Sequence, residues 1–376
     1  MIKQYRGMLN DRIRIQAFRE AIPQVVQEGD VVVEIGTGLG TFAMFAAMAG
    51  AKKVYAIERT DIIELAEEIA ERNGFSRQIH FIKGNSLEIE LPEKADVVMA
   101  EDFRSFFSMD GLDLVIRDAQ ERFLKPDGTF IPAEIEWHIV PVDDPETYRK
   151  MDLWSEENDQ LYGIGFSPTR ALAMNNYYEM TLSSKHFLCT PQMLQGVFLA
   201  TENDFRFERS CTFLARRKGR IHGLGGWFNA KLSDRIVLRN APDAPSTVWK
   251  QVFFPIERPI AVGKDSAVDV TMRCLQAPGS DELWWSWQVT AEGTSCEGST
   301  FRGFPLSGET LKKRSVEYVP TLSPSAEEER FVLETLDGHK SMASIGAALY
   351  RTFPERYRDA DRALLKVSRI IKRLDL

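Results

Sequence analysis

The chain has 376 residues, 44% hydrophobic and 27% charged, with a formal net charge of −8. That balance describes a globular protein of about two or three domains, each able to bury its own core, and the acidic total disfavours a nucleic-acid binder and leans toward a cationic substrate. No apolar run is long enough to cross a membrane, the first residues hold no apolar signal core, and the four cysteines (Cys189, Cys211, Cys274, Cys296) lie far apart. Neither a membrane partner, a disulfide framework nor a metal site is therefore expected, and a cytoplasmic setting is.

In chain order, residues 9–22 carry Leu9, Ile13, Ala17 and Ala21 at four-residue spacing and predict an amphipathic helix stopped by Pro23. The segment Val31-Val-Val-Glu-Ile-Gly-Thr-Gly-Leu-Gly40 follows. A β-branched run ends in an acid, and three alternate glycines then open onto a helical pattern, the strand–turn–helix unit that brings backbone close to a nucleotide. Further strands are expected near 52–57, 78–82, 95–100 and 128–131. A helix begins at the capping box Asp61/Glu64, has Ile62, Leu65, Ala66 and Ile69 on one face, and closes at Asn73-Gly74. Alternating strands and helices imply an α/β, Rossmann-like domain with a parallel sheet over residues 1–132.

After Pro132 the pattern changes to short alternating strands, including Ser210–Ala215, Ile236–Leu238, Ala267–Cys274, Trp284–Val289 and Ser315–Val319. An antiparallel, barrel-like β domain is expected over 133–320, with Trp285, Trp287 and Val289 in its core. Residues 151–190 interrupt it with a polar, aromatic excursion. Residues 321–376 read as a small helical domain: Ser323-Pro324 and Ser341 start helices, Gly338 ends one, and Leu364, Val367, Ile371 and Leu374 share the face of the last helix opposite Arg362, Lys366, Arg369, Lys372 and Arg373. None of the five histidines falls in a metal-like cluster.

The chemistry concentrates at the carboxyl ends of the first strands. Glu58 ends the second strand, where a carboxylate can accept both hydroxyls of a ribose. The G-x-G-x-G spacing of Gly36, Gly38 and Gly40 lacks the later glycine of a dinucleotide fingerprint and favours an adenosyl cofactor without a pyrophosphate. After the fourth strand come Glu101 and, nine residues on, Asp110, two carboxylates that a hairpin could bring together around a guanidinium.

From about residue 5 to 320 the chain resembles the protein arginine N-methyltransferases, as a divergent, bacterial-like member. The resemblance rests on Met8-Leu-Asn-Asp-Arg-Ile-Arg14, the glycine turn, Met44-Phe-Ala-Ala-Met-Ala-Gly-Ala-Lys-Lys-Val54, Ile82-Lys-Gly84, Glu90-Leu-Pro92, Leu124-Lys-Pro-Asp-Gly128 and Trp249-Lys-Gln251. It implies an S-adenosyl-L-methionine domain joined to a β-barrel, with a helical arm at 151–190 that builds a homodimer. It also implies an arginine-containing protein, peptide or small guanidino substrate. By position, Glu34 and the three glycines would approach the cofactor, Arg14 would pair with its carboxylate, Glu58 would hold the ribose and the Ser86 backbone the adenine edge. Glu101 and Asp110 would be the catalytic carboxylates, with Met8, Arg104 and Trp249 in the substrate pocket.

The departures are also explicit. Asp110 replaces a glutamate, withdrawing its oxygens by roughly an ångström. Arg104 puts a cation in the carboxylate loop. Thr247-Val248-Trp249 lacks the family's histidine, so Asp11 is expected to lose its partner, Leu87 replaces an adenine-binding acid, and an N-terminal aromatic helix over the cofactor is expected to be missing. These leave open methyl transfer to another acceptor, or a weakly active regulator or scaffold that recruits peptide through the last domain, which weakly resembles PqqD-like peptide-binding modules.

Overall fold

The computed structural model describes residues 2–101, 103–107, 111–154, 163–201, 204–276 and 283–374. They form two compact units, Met1–Leu306 and Ser307–Leu376. The division falls before the stretch Ser315–Val319, which is not the strand its alternation suggested: it consists of turns and irregular backbone, with Val316 and Val319 exposed.

The single helix expected over 9–22 is two, α1 (Ile2–Asn10) and α2 (Arg12–Val25). Asp11 breaks them because its carboxylate caps α2, accepting the Arg14 N–H at 3.0 Å. Pro23 lies inside the last turn of α2 without ending it. Next comes a parallel sheet of β1 (Val31–Ile35), β2 (Lys53–Glu58), β3 (Ile79–Lys83), β4 (Ala95–Ala100) and β5 (Leu124–Ile131), in the order β3-β2-β1-β4-β5. Its connecting helices are α3 (Thr41–Met48), α4 (Ile62–Arg72) and α5 (Leu112–Arg122). The strand order reverses between β1 and β4, which opens a crevice at their carboxyl ends. Ile35 pairs with Ile57 on one side and Ala100 on the other, so Gly36, Glu58 and Glu101 each stand one residue beyond the same paired layer. Around α4, two expectations shift. Its buried face is Ile62, Ile63, Ala66 and Ala70, leaving Leu65 exposed, and Asp61 makes no cap but pairs with Lys83.

The rest of the first unit is antiparallel. One sheet combines β6 (Glu134–Val142), β7 (Tyr178–Met180), β8 (Gln192–Phe198), β10 (Gly219–Lys231), β11 (Val237–Arg239) and β12 (Gln251–Val262); the other combines β9 (Phe207–Leu214), β13 (Ala267–Gln276), β14 (Leu283–Ala291) and β15 (Thr294–Ser299). Among the described strands the pairing gives two sheets rather than one closed barrel. Trp285, Trp287 and Val289 are buried as expected, and the Trp287 indole N–H donates to the Pro255 carbonyl at 3.0 Å. The excursion after β6 includes α6 (Pro145–Met151) and α7 (Arg170–Ala173) before it reaches β7; residues 155–162 lie outside the described residues.

The second unit holds α8 (Gly308–Lys313), α9 (Pro324–Thr335), α10 (Met342–Thr352) and α11 (Ala360–Arg373). Ser323, Ser341 and Asp359 each cap the helix that follows. Val332, Ile345, Leu349, Ala363, Val367 and Ile370 make the core. The buried face of α11 is thus rotated from the expected one, with Leu374 left exposed. Part of its basic side is engaged: Lys366 donates to Ser325 Oγ at 2.7 Å, and Arg373 pairs with Glu329.

Candidate active site

The turn after β1 is built on left-handed backbone. Gly36, Gly38 and Gly40 have φ of 76°, 54° and 74°, a region in which a side chain costs about 1–2 kcal/mol. At Gly38 space is short as well: an added Cβ would lie 2.7 Å from Tyr5 Cε1. One aromatic side chain from α1, that of Tyr5, therefore lies beside the turn; Arg6 follows it, so it is not the Tyr-Phe pair whose helix is expected to be missing. Tyr5 stands one helical turn before Met8 on the same helix, and both line the large cavity described below.

Two carboxylates flank this turn in different surroundings. Glu34 is buried at the end of β1, and burial pushes its carboxyl up to about 8, against the Thr37 hydroxyl, which donates to Oε2 at 2.5 Å, and the Ala43 backbone. Glu58 has its carboxylate oriented by three donors: Gly38 N–H at 3.1 Å on Oε2, with Thr60 N–H at 3.0 Å and Thr60 hydroxyl at 2.9 Å on Oε1. Ser86 is buried, and its carbonyl accepts from Arg122 Nη2 at 2.6 Å.

Glu101 begins the loop after β4. Its described residues 103–107 are held by the segment before β12: Phe103 stacks on Trp249 with ring centroids 5.0 Å apart, Trp249 Nε1 donates to the Phe103 carbonyl at 2.8 Å, and Lys250 N–H donates to Ser105 Oγ at 3.3 Å. Phe106 is a buried non-glycine residue at φ 59°, ψ 22°. That conformation is costly, and it persists because Phe106 is held on several sides. Its carbonyl accepts from Trp137 Nε1 at 2.8 Å and its ring packs 4.9 Å from that of Trp285. Gly226 leaves it room, since a Cβ there would sit 2.6 Å from the Phe106 ring. Asp110, expected as the second carboxylate, lies outside the described residues.

Arg14 lines the same cavity and has a partner within the chain that the sequence did not suggest. It is buried, and its guanidinium forks onto Glu101: Nε pairs with Oε1, and Nη2 reaches Oε2 at 2.5 Å. The Phe42 ring lies 4.9 Å from its Cζ, and the Met8 carbonyl lies 3.5 Å from Nη1. Asp11 also keeps a partner, because the Val248 backbone N–H donates to its Oδ2 at 2.7 Å. A main-chain donor needs no particular side chain, so the missing histidine leaves Asp11 bonded.

These residues surround a cavity of about 720 Å³, lined among others by Tyr5, Met8, Arg14, Glu34, Glu101 and Trp249. A second cavity of about 240 Å³ reaches Asn85 and Ser86 and shares Gly36, Glu58, Arg59 and Arg104 with the first. The structure thus gathers ten of the eleven expected site residues that it describes into the first cavity or its neighbour; Gly40 instead starts α3, packed against Phe81. The reading of the sequence missed Tyr5, Thr37, Thr60 and Glu179. The two threonines could have been found as hydroxyls within three residues of the key acids. Glu179 has no local signal, since only the pairing of β7 with β12 brings it to the cavity.

A Rossmann-like domain of the methyltransferase kind, coupled to antiparallel sheets that pin its β4 loop, is the class defined by this fold and site. Comparison with known proteins agrees. Residues 27–180 match a family described as methyltransferase domain, and residues 133–288 match the arginine methyltransferase oligomerization subdomain. The chain is 31% identical over 273 residues to probable histone-arginine methyltransferase 1.4 of Arabidopsis thaliana, covering 68% of this chain and 51% of that protein. It is 26% identical over 323 residues to probable protein arginine N-methyltransferase 6 of the same plant, covering 73% of each. The chain therefore spans about half the length of the first of these relatives. The fold is similar to the arginine methyltransferase enzyme–prozyme complex of Trypanosoma brucei solved with AdoHcy, with a TM-score of 0.72 at 24% identity over 78% of this chain and 97% of that one. Protein arginine methyltransferase 10 of Arabidopsis thaliana, in an open conformation, gives 0.69 at 24% identity over 80% and 98%. Over about two thirds of its length the chain is thus similar to the protein arginine N-methyltransferases.

Proposed function

We propose that the protein transfers a methyl group from S-adenosyl-L-methionine to a guanidinium nitrogen of an arginine-type acceptor. The observation that carries this reading is the Arg14–Glu101 pair. Glu101 already receives a planar guanidinium on both oxygens, at the carboxyl end of β4 and at the edge of a crevice built for a nucleoside. A carboxylate that fits one guanidinium fork fits another.

The cofactor suits the residues present. The close-packed glycine turn admits backbone to the ligand, the cavity wall carries Arg14 for a carboxylate and Glu34 for an ammonium, and Glu58 is oriented beside the second cavity for ribose hydroxyls. When bound, the cofactor supplies an electrophilic methyl on a sulfonium. Glu101 would then hold positive charge on the acceptor nitrogens it touches, so that the remaining nitrogen recovers lone-pair character and takes the methyl as the methyl–sulfur bond breaks, the thioether leaves and one N–H proton passes to solvent; orientation supplies much of the rate. Asp110 assists from the same loop, and Met8 and Trp249 exclude water around the acceptor. Arg14 serves two carboxylates in this reading, that of Glu101 and that of the cofactor.

The same reading makes the chain a cytoplasmic homodimer assembled through the excursion at 151–190. It is supported by four free cysteines and by the match to an oligomerization subdomain. Among the described residues no helix is long and apolar enough to cross a membrane.

The test is Glu101→Gln, which keeps the size and removes the charge. Methyl transfer to arginine-containing acceptors, followed with labelled cofactor and mass spectrometry, is expected to fall about 100-fold or more, while cofactor binding by calorimetry persists. Undiminished transfer refutes the mechanism.

A further inference from the structure

Three charged side chains on the wall of the larger cavity have no part in that reading: Arg59, Arg104 and Glu179. Arg59 follows Glu58 and belongs to the adenosyl end. Arg104, three residues after Glu101, lines the larger cavity together with it and reaches the second cavity as well. Its neighbours are anchored on both sides, Phe103 by stacking on Trp249 and Ser105 by the Lys250 N–H. The exposed Arg104 side chain is therefore carried on a fixed stretch of backbone. Glu179 pairs across the strands with Val252, two residues beyond Lys250 and about 7 Å along β12, which puts an exposed carboxylate on the same cavity.

The charges can be assigned one by one. In that reading Arg14 takes the cofactor carboxylate, Glu34 its ammonium, Glu58 its ribose, and Glu101 with Asp110 the acceptor guanidinium. A further guanidinium at this place repels a purely cationic acceptor. It attracts one that brings an anion, and an arginine fork matches a carboxylate with two parallel hydrogen bonds.

Resting on the guanidinium-methylation reading, we propose that Arg104 selects acceptors whose guanidinium is accompanied by a carboxylate, with Glu179 facing the cationic remainder of the acceptor. The carboxylate can be the α-carboxylate of a free guanidino amino acid or an acidic side chain beside arginine in a peptide.

The experiment measures kcat/KM of the full chain, with S-adenosyl-L-methionine as donor, on two matched pairs. L-arginine is compared with agmatine, which lacks the carboxylate, and an Asp-Arg-Gly peptide with its Ser-Arg-Gly counterpart. One pair is expected to show a preference of about tenfold to hundredfold for the carboxylate, expressed mainly in KM, and the pair that shows it identifies the source. Arg104→Met should bring that ratio close to one, and Arg104→Lys should retain part of it; an unshifted melting temperature shows that the variants are folded. Equal rates within both pairs, or a preference that survives Arg104→Met, overturn the proposal while leaving guanidinium methylation standing. A chain that binds the cofactor yet methylates no guanidino acceptor overturns the underlying reading, and this one with it.

Discussion

Glu34→Gln tests the most unusual electrostatic feature of the site. Burial raises the Glu34 carboxyl from an ordinary 4.5 to about 8, a difference of about 5 kcal/mol between its two protonation states. Because the folded value lies above the unfolded one, the stabilising contribution is fully present below pH 4.5. It is lost progressively as the pH rises, and is gone above pH 8. Between pH 6 and pH 9.5 the wild type should lose about 3 kcal/mol that the glutamine variant keeps. Relaxation and water entry on ionisation can halve that figure, which still leaves a difference of a few degrees in melting temperature. The assay is scanning calorimetry of both proteins across this range without cofactor. The gap between variant and wild type should already reflect about 2 kcal/mol of lost contribution at pH 6 and widen further in the variant's favour toward pH 9.5. A gap independent of pH refutes the argument. So does an equal widening in saturating S-adenosyl-L-methionine, whose ammonium should stabilise the ionised form of Glu34.

Two further outcomes are expected. Gly38→Ala combines a left-handed backbone with a contact 2.7 Å from Tyr5; it should cost about 1–2 kcal/mol of stability and lift Tyr5 off the turn, seen as weaker cofactor binding in calorimetry. Deleting residues 155–188 should convert a dimer to a monomer by light scattering, and a dimer that persists refutes the assignment of the arm.

What was legible in the sequence, and what was not, follows from the range of the interactions. The parallel sheet was readable because β1, β2 and β4 are short apolar runs punctuated by glycine and acid, whereas the order of its strands comes from the pairing itself. The chain direction then forces Gly36, Glu58 and Glu101 to one edge. The break at Asp11 was hidden because a four-residue apolar spacing runs through it, while a single side-chain bond to the Arg14 N–H decides the matter. β10 and β12 did not stand out as strands, since the glycines of β10 disrupt its alternation. At least one of them, Gly226, serves tertiary packing by making room for Phe106. The positive φ of Phe106 and the fork of Arg14 on Glu101 depend on partners more than 30 and 80 residues away, which no local pattern encodes.

The edge itself shows why naming the acids was not enough. Glu34, Glu58 and Glu101 are identical side chains at the ends of neighbouring strands, and their surroundings give each a different chemistry. Glu34 is enclosed by apolar packing and one hydroxyl, so it favours the neutral form and ionises where a cation compensates it. Glu58 receives N–H and O–H donors from Thr60 in its own turn and Gly38 in the turn after β1, which fix the direction of its oxygens as the proposed ribose contact requires. Glu101 is met by a guanidinium, which makes it the one of the three already shaped to a planar cation. Exchanging any two of these environments would leave the sequence motif intact and separate the cofactor from its acceptor. The division of labour is set by Thr37, Thr60 and Arg14, none of which is itself one of the three acids.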